Sequence, residues 1–395
     1  MFLSRCVPLP IKKRFWSIRE RFNERDITWN DLRGGLNKKK NLKNKFCDKP
    51  WEDFDITSNG DVYVCCTGWL PKPVGNIKQN NIIEIWNSEQ AQEIRKSILD
   101  GSFKYCNHDV CWHIQKGNLP DRNNLKNDRY QKIVDKNITS LDEIPSRFSF
   151  IYDASCNLSC PSCRKELVYF NEGPQYETSL TIHKKMMAEL FPEPHDRRIE
   201  ISCTGAGDPF ASPIFREFLF TLKGTDFRNV VIHLTTNGIL FTPANWERME
   251  DVHNNIGRVI VSFDAATADT YAYTRRGGDF GKLLRNFEFI NQLRREGFIK
   301  YLRMDFVVQQ KNYREMIDFV KLGKSFGQVD SIGFALITNW ATYSPKEFRN
   351  HAIWRKDHPE LNEFLNILKD PIFDDEIVDL KNLSDYREIA RRITD

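Results

Sequence analysis

The sequence contains no apolar run of about 18 residues, the length a helix needs to cross a bilayer, so no membrane span is expected. It has no large surplus of either charge. Lysine and arginine number 58 against 54 aspartates and glutamates, a formal net of +4, too little to require a nucleic-acid partner. The start, Met1-Phe2-Leu3-Ser4-Arg5, lacks the apolar centre of a secretory signal, and the expected location is cytoplasmic. No phosphate-binding loop, Ser/His/Asp arrangement or zinc-protease motif competes for the chemistry. What is present is a chain of 395 residues, 40% hydrophobic and 28% charged, suited to a globular protein with two domains or one barrel with additions. Its ten cysteines are clustered, which fits metal binding in a reducing compartment better than disulfides.

The densest cluster is Cys156-Asn157-Leu158-Ser159-Cys160-Pro161-Ser162-Cys163. It follows the apolar run Phe148, Phe150, Ile151 and Tyr152, which reads as a strand, so the thiols sit on the loop leaving that strand's C-terminal end. In barrels of β/α units, chemistry is done at this end. Three thiolates can hold three corners of a cubane iron–sulfur cluster, leaving the fourth iron open to an exogenous ligand. The alternatives are zinc, or cysteines that are merely buried.

A C-x3-C-x2-C loop after a strand resembles the signature of the radical S-adenosylmethionine (SAM) enzymes. The resemblance implies SAM on the open iron, a 5'-deoxyadenosyl radical made by reductive cleavage, and an electron donor such as flavodoxin or ferredoxin. It also implies a partial (β/α)6 TIM-type barrel, here from about 146 to 340. The strands are expected at Arg198–Cys203, Val230–Leu234, Arg258–Asp264, Leu302–Val308 and Ser331–Ile337, with helices between them. Four further elements carry the likeness. Thr204-Gly205-Ala206-Gly207-Asp208-Pro209 resembles the family's GGE-P element, with an alanine at one glycine position and Asp208 for glutamate. Thr236-Asn237-Gly238 ends the third strand. Ser262 and Asp264 end the fourth, and Tyr271…Arg275-Arg276-Gly277-Gly278 follows. By resemblance, Gly205, Gly207, Asp208, Asn237, Ser262, Asp264 and Arg275 would contact SAM.

Upstream, Cys47 precedes a hairpin, Phe54–Thr57 and Val62–Cys66, turning at Asn59-Gly60. Asn81 to Leu99 reads as one amphipathic helix, and Cys106 and Cys111 close the block. It resembles the twitch or SPASM auxiliary-cluster domains that accompany many radical SAM enzymes, here preceding the barrel. That implies a second [4Fe-4S] cluster on Cys47, Cys65, Cys106 and Cys111, with Cys66 as a spare ligand. A structural zinc ribbon is the alternative.

The expected domains are a basic extension (1–46), the auxiliary domain (47–120), a linker (121–145), the barrel (146–340) and a helical tail (341–395). The expected function is hydrogen abstraction from a small-molecule or sugar-type substrate, giving oxidation or epimerisation. Modification of a ribosomal peptide is the alternative, disfavoured because 46 residues before Cys47 are short for a winged-helix leader-binding domain. A non-catalytic zinc or iron–sulfur protein is a second alternative.

Overall fold

The computed structural model describes residues 41–203 and 206–392. Most of the basic extension, Thr204 and Gly205 lie outside that range. The chain divides into two compact units. The first takes the described residues up to Ile56 and Gly60–Ser146, and the second takes Thr57–Asn59 and the described residues from Arg147 onward.

The first unit begins as expected, with β1 (Asp53–Thr57) and β2 (Asp61–Tyr63) antiparallel around a turn at Gly60, whose φ is +85°. A short β3 (Gly75–Asn76) adds to β2. The single helix expected from Asn81 to Leu99 is two, α1 (Ile82–Trp86) and α2 (Glu89–Leu99). The break lies at Asn87 and Ser88. Asn87 exchanges two hydrogen bonds with the Leu141 backbone, while the Ser88 hydroxyl donates to the Val74 carbonyl and accepts from Ala91 N–H as an N-cap. Polar residues that bond the backbone locally compete with helix continuation.

A short α3 (Trp112–Lys116) follows. The stretch 121–145, expected as a linker, instead carries α4 (Asp128–Asp135), capped by Asn127. Its Ile133 is buried among Phe46, Trp51, Phe103 and Ile114, and Tyr130 and Val134 pack against the same core. A polar composition hid an amphipathic helix whose one apolar stripe belongs to this core.

The second unit is a mixed α/β structure around a parallel sheet. Strands β4 (Arg147–Ile151), β5 (Ile199–Cys203), β6 (Val230–Thr236), β7 (Ile256–Ser262), β8 (Tyr301–Val308) and β9 (Ser331–Leu336) lie side by side in chain order, all parallel. The first and last of these strands do not pair with each other, so the sheet is not closed. Alternate residues of β8 (Leu302, Met304, Phe306 and Val308) are fully buried, while those between are half-buried and include Arg303 and Asp305. Crossover helices α5 (Gly173–Leu190), α6 (Pro213–Thr221), α7 (Pro243–Glu247), α8 (Ala268–Thr274), α9 (Phe280–Arg295) and α10 (Met316–Phe326) connect the strands. The caps at Ser212 and Thr242, each followed by proline, form as the sequence indicates.

In the tail, α11 (Pro345–His351) starts with a full capping box between Ser344 and Glu347, and α12 (Leu361–Leu368) and α13 (Ser384–Arg392) follow. Two residues that the sequence reading left outside any element, Val378 and Asp379, form β10 parallel to β9. Asp379 accepts from Arg303 at 2.8 Å and Lys381 reaches Asp305 at 3.2 Å, so the tail supplies charges that complement the half-buried face of β8. Among the described residues, no helix is long and apolar enough to cross a membrane.

Candidate functional site

In the first unit, Cys47, Cys65, Cys106 and Cys111 line one cavity with Trp69, Phe103 and Ile114 around them. The hairpin brings Cys65 back toward Cys47, and the turn after α2 delivers Cys106 and Cys111. Burial, above all, pushes the Cys47 and Cys106 thiols up to about 12. Cys111 adds to the shift at both, and Cys47 adds to it at Cys106. Cys65 is also raised, by burial and then by Cys47. Four thiols lining one cavity are a donor set that can bind a metal or cluster as thiolates, with loss of their protons on binding. Cys66 is exposed and is not among the residues lining the cavity.

In the second unit, the Cys loop leaves β4 at its C-terminal end. Cys156 and Cys160 are buried and Cys163 is exposed. Each sulfur has a donor beside it. Leu158 N–H and Asn237 Nδ2 approach Cys156 Sγ at 3.4 and 3.7 Å, Arg275 Nη1 approaches Cys160 Sγ at 3.8 Å, and Arg164 Nη2 approaches Cys163 Sγ at 3.5 Å. Burial, with Asp208 adding to it, pushes the Cys156 thiol up to about 11. Cys160 is raised by burial, against which Arg275 acts.

The loop is gripped from both sides. Arg276 donates to the Ser159 hydroxyl and the Lys165 carbonyl, and its own carbonyl accepts from Ser159 N–H. Arg164 donates to the carbonyls of Ala154 (2.8 Å) and Ala206 (2.5 Å). Thr342, from the tail, lies 3.5 Å from the Ser162 carbonyl. Neither Arg164 nor Arg276 was marked as functional by the sequence; Arg164 is the residue after Cys163, and the fold brings Arg276 to the loop.

Of the residues expected to contact SAM, Gly207, Asp208, Asn237 and Arg275 lie against the Cys loop and its flank, and several are engaged with protein groups. Asp208 is 2% exposed, and both its oxygens are taken. One accepts from Thr236 Oγ1 (2.7 Å) and Asn237 N–H (2.8 Å), the other from Phe210 and Ala211 N–H (3.0 and 3.3 Å). Burial raises its pKa while these four donors oppose the rise. Through these four bonds Asp208 braces the ends of β5 and β6.

Gly207 likewise serves the protein. A Cβ on it would sit 2.2 Å from the Ser155 carbonyl oxygen, so only glycine lets this turn meet the Cys loop. Gly207→Ala is expected to destabilise the protein by at least about 2 kcal/mol, because backbone on both sides must move. Chemical denaturation checks this; an unchanged midpoint would show the turn to be slack.

Asn237, 5% exposed, spans the Cys156 sulfur and the Asn157 side chain at 2.9 Å. Asp264 has a left-handed backbone, φ +59°, a strained state for a non-glycine residue of the kind that persists where surrounding contacts enforce it. Its carboxylate pairs with Arg275 at 2.9 Å and accepts from Val307 N–H at 2.7 Å. Asn312 donates to its carbonyl, and Glu315 accepts from Ala266 and Thr267 N–H in the following turn. Gln309, Asn312 and Glu315 thus shape this corner from β8's end. The two Nη atoms of Arg275 face Asp264 and Cys160, while its buried Nε and the nearby buried Tyr271 hydroxyl have no hydrogen-bond partner. Two orphaned buried donors near Cys160 are unusual enough to ask for a partner. Ser262, on the half-buried face of β7, stands opposite Asp305. Gly205 lies outside the described residues.

Among the described residues, no three His, Cys, Asp or Glu side chains converge on one metal ion. The all-thiol donor set at each site fits an iron–sulfur cluster in kind, and the four-thiol set of the first unit fits zinc as well.

The family model of SPASM, described as an iron–sulfur cluster-binding domain, matches residues 47–113. No curated protein matches the sequence. Two solved structures of the radical S-adenosylmethionine methyltransferase TsrM from Kitasatospora setae are similar to part of the chain. One, with tryptophan substrate and a SAM analogue bound, is 11% identical, covers 49% of this chain and 38% of that one, and has a TM-score of 0.32. The other, with cobalamin and a [4Fe-4S] cluster bound, is 12% identical, covers 46% and 35%, and has a TM-score of 0.31. The aligned part spans well under two thirds of those chains, and at such TM-scores the reading rests on this chain's own residues. Over residues 47–113 the chain is similar to the SPASM iron–sulfur cluster-binding domain.

Proposed function

We propose that this protein is a radical SAM enzyme with one auxiliary [4Fe-4S] cluster, acting on a small-molecule or sugar-type substrate by oxidation or epimerisation. The observation that carries the reading is the grouping of Cys156, Cys160 and Cys163 on the loop leaving β4, each sulfur with its own N–H or guanidinium donor. The sheet β4–β9, with strands in chain order and helices between, is read as the partial (β/α)6 barrel of that family. Cys156, Cys160 and Cys163 would hold the catalytic cluster with one iron open, and Cys47, Cys65, Cys106 and Cys111 would hold the auxiliary one. With SAM on the open iron and an electron from a flavodoxin- or ferredoxin-type donor, the bound groups supply a 5'-deoxyadenosyl radical for hydrogen abstraction.

The chain's own residues do the positioning. Asn237 and Leu158 N–H fix the Cys156 sulfur, and Arg276 and Thr342 hold the loop's backbone. Tyr271 and the Nε of Arg275 offer unused donors beside Cys160, the side from which the polar head of SAM would be received. Asp264 keeps the Arg275 guanidinium oriented through their ion pair. Cys203, fully buried in β5, is read as a packing residue.

Anaerobic reconstitution is expected to load about eight irons per chain if both sites are cubanes, and reduction in the presence of SAM is expected to release 5'-deoxyadenosine. Stoichiometric zinc with intact SAM would overturn the reading in favour of a non-catalytic metalloprotein.

A further inference from the structure

The three sulfurs of the Cys loop have unlike electrostatic surroundings. Cys156 receives only neutral donors, Leu158 N–H and Asn237 Nδ2. Cys160 faces Arg275, whose charge is offset by Asp264 at 2.9 Å. Cys163 faces Arg164, which makes no ion pair among the described residues; its remaining bonds go to the carbonyls of Ala154 and Ala206. A guanidinium stays protonated throughout the working pH range. One unbalanced, fixed cation therefore stands within hydrogen-bond reach of a sulfur.

Resting on the cluster assignment above, we propose that Arg164 is a charge-tuning, positioning residue that raises the reduction potential of the cluster held by Cys156, Cys160 and Cys163. Iron–sulfur potentials are set by net charge, by hydrogen bonds to the sulfurs and by solvent exposure. Reduction here adds one electron, from dithionite or an electrode, and neither makes nor breaks a bond. The reduced cluster carries one more negative charge than the oxidised one, so a fixed cation at Cys163 stabilises it more. The same side chain also joins the loops after β4 and β5 through Ala154 and Ala206, so a purely structural role must be told apart from an electrostatic one.

The full chain is reconstituted anaerobically as wild type, Arg164→Gln and Arg164→Lys. Iron is counted, and the midpoint potential of the electron paramagnetic resonance (EPR) signal that changes on adding SAM is measured by mediator titration. The expected result is wild-type iron with a downward shift in Arg164→Gln and a midpoint close to wild type in Arg164→Lys, which keeps the charge. An unchanged midpoint in Arg164→Gln at full iron content would overturn the proposal. If Arg164→Gln cannot hold iron, Arg164→Lys decides: restored iron with a wild-type midpoint supports it, whereas restored iron with a fallen midpoint, or iron that stays lost, contradicts it. A wild-type chain with no SAM-responsive signal would instead defeat the cluster assignment itself, a separate failure visible before any variant is compared.

Discussion

Replacing Cys160 with alanine is expected to lower the iron content from about eight to about four per chain, since one of two cubanes is lost, and to reduce 5'-deoxyadenosine release to background. A cluster with one open iron has three protein ligands and none in reserve. The second unit's other cysteine, Cys203, is fully buried in β5, where burial drives its thiol pKa far up, so it cannot substitute. The fold should survive, because a thiol replaced by a methyl group at a loop position costs about 1 kcal/mol. Loss of activity without loss of structure is the signature to seek, by iron analysis and circular dichroism on one sample. Cys66→Ala, at an exposed position outside the cavity of the first unit, is the matched control and should keep all iron.

Asp208→Ala should be the most destabilising single change near the site. It strands four buried donors, Thr236 Oγ1 and the N–H groups of Asn237, Phe210 and Ala211. Each unsatisfied buried donor costs about 1–3 kcal/mol, and because they share one acceptor the sum falls short of additive, at roughly 3–5 kcal/mol. For a unit of this size that lowers the melting temperature by roughly 10 °C. Asp208→Asn keeps one acceptor oxygen and should recover part of the loss. A melting temperature unmoved by the alanine would mean that the ends of β5 and β6 are held by something else.

The parts of this molecule legible in its sequence are those governed by local rules. Strand alternation placed β4 to β9 within a residue or two, proline after serine or threonine marked the starts of α6, α7 and α11, and cysteine spacing picked out both thiol groups. What escaped depends on contacts between distant segments. The break at Asn87 exists because Leu141 reaches it from 54 residues away. The helix at Asp128–Asp135 is polar on all but the stripe carrying Ile133, which has meaning only against Phe46 and Trp51. Strand β10 is two residues long and carries no period at all.

The site shows the same division. Gly207, Asp208 and Arg275 stand out in the sequence only as motif positions, whereas the structure shows their contacts with Ser155, Asn237 and Asp264. Arg164 is invisible as a functional residue until β5's loop brings the Ala206 carbonyl alongside it and fixes its guanidinium at Cys163.

The central claim is that the cluster on Cys156, Cys160 and Cys163 leaves one iron for SAM. Its most direct test is EPR of the reduced, reconstituted chain with and without SAM. Two overlapping cluster signals are expected, one shifting when SAM is added and absent from Cys160→Ala, the other indifferent to both. A spectrum blind to SAM, or a SAM-sensitive signal that persists in Cys160→Ala, would contradict it.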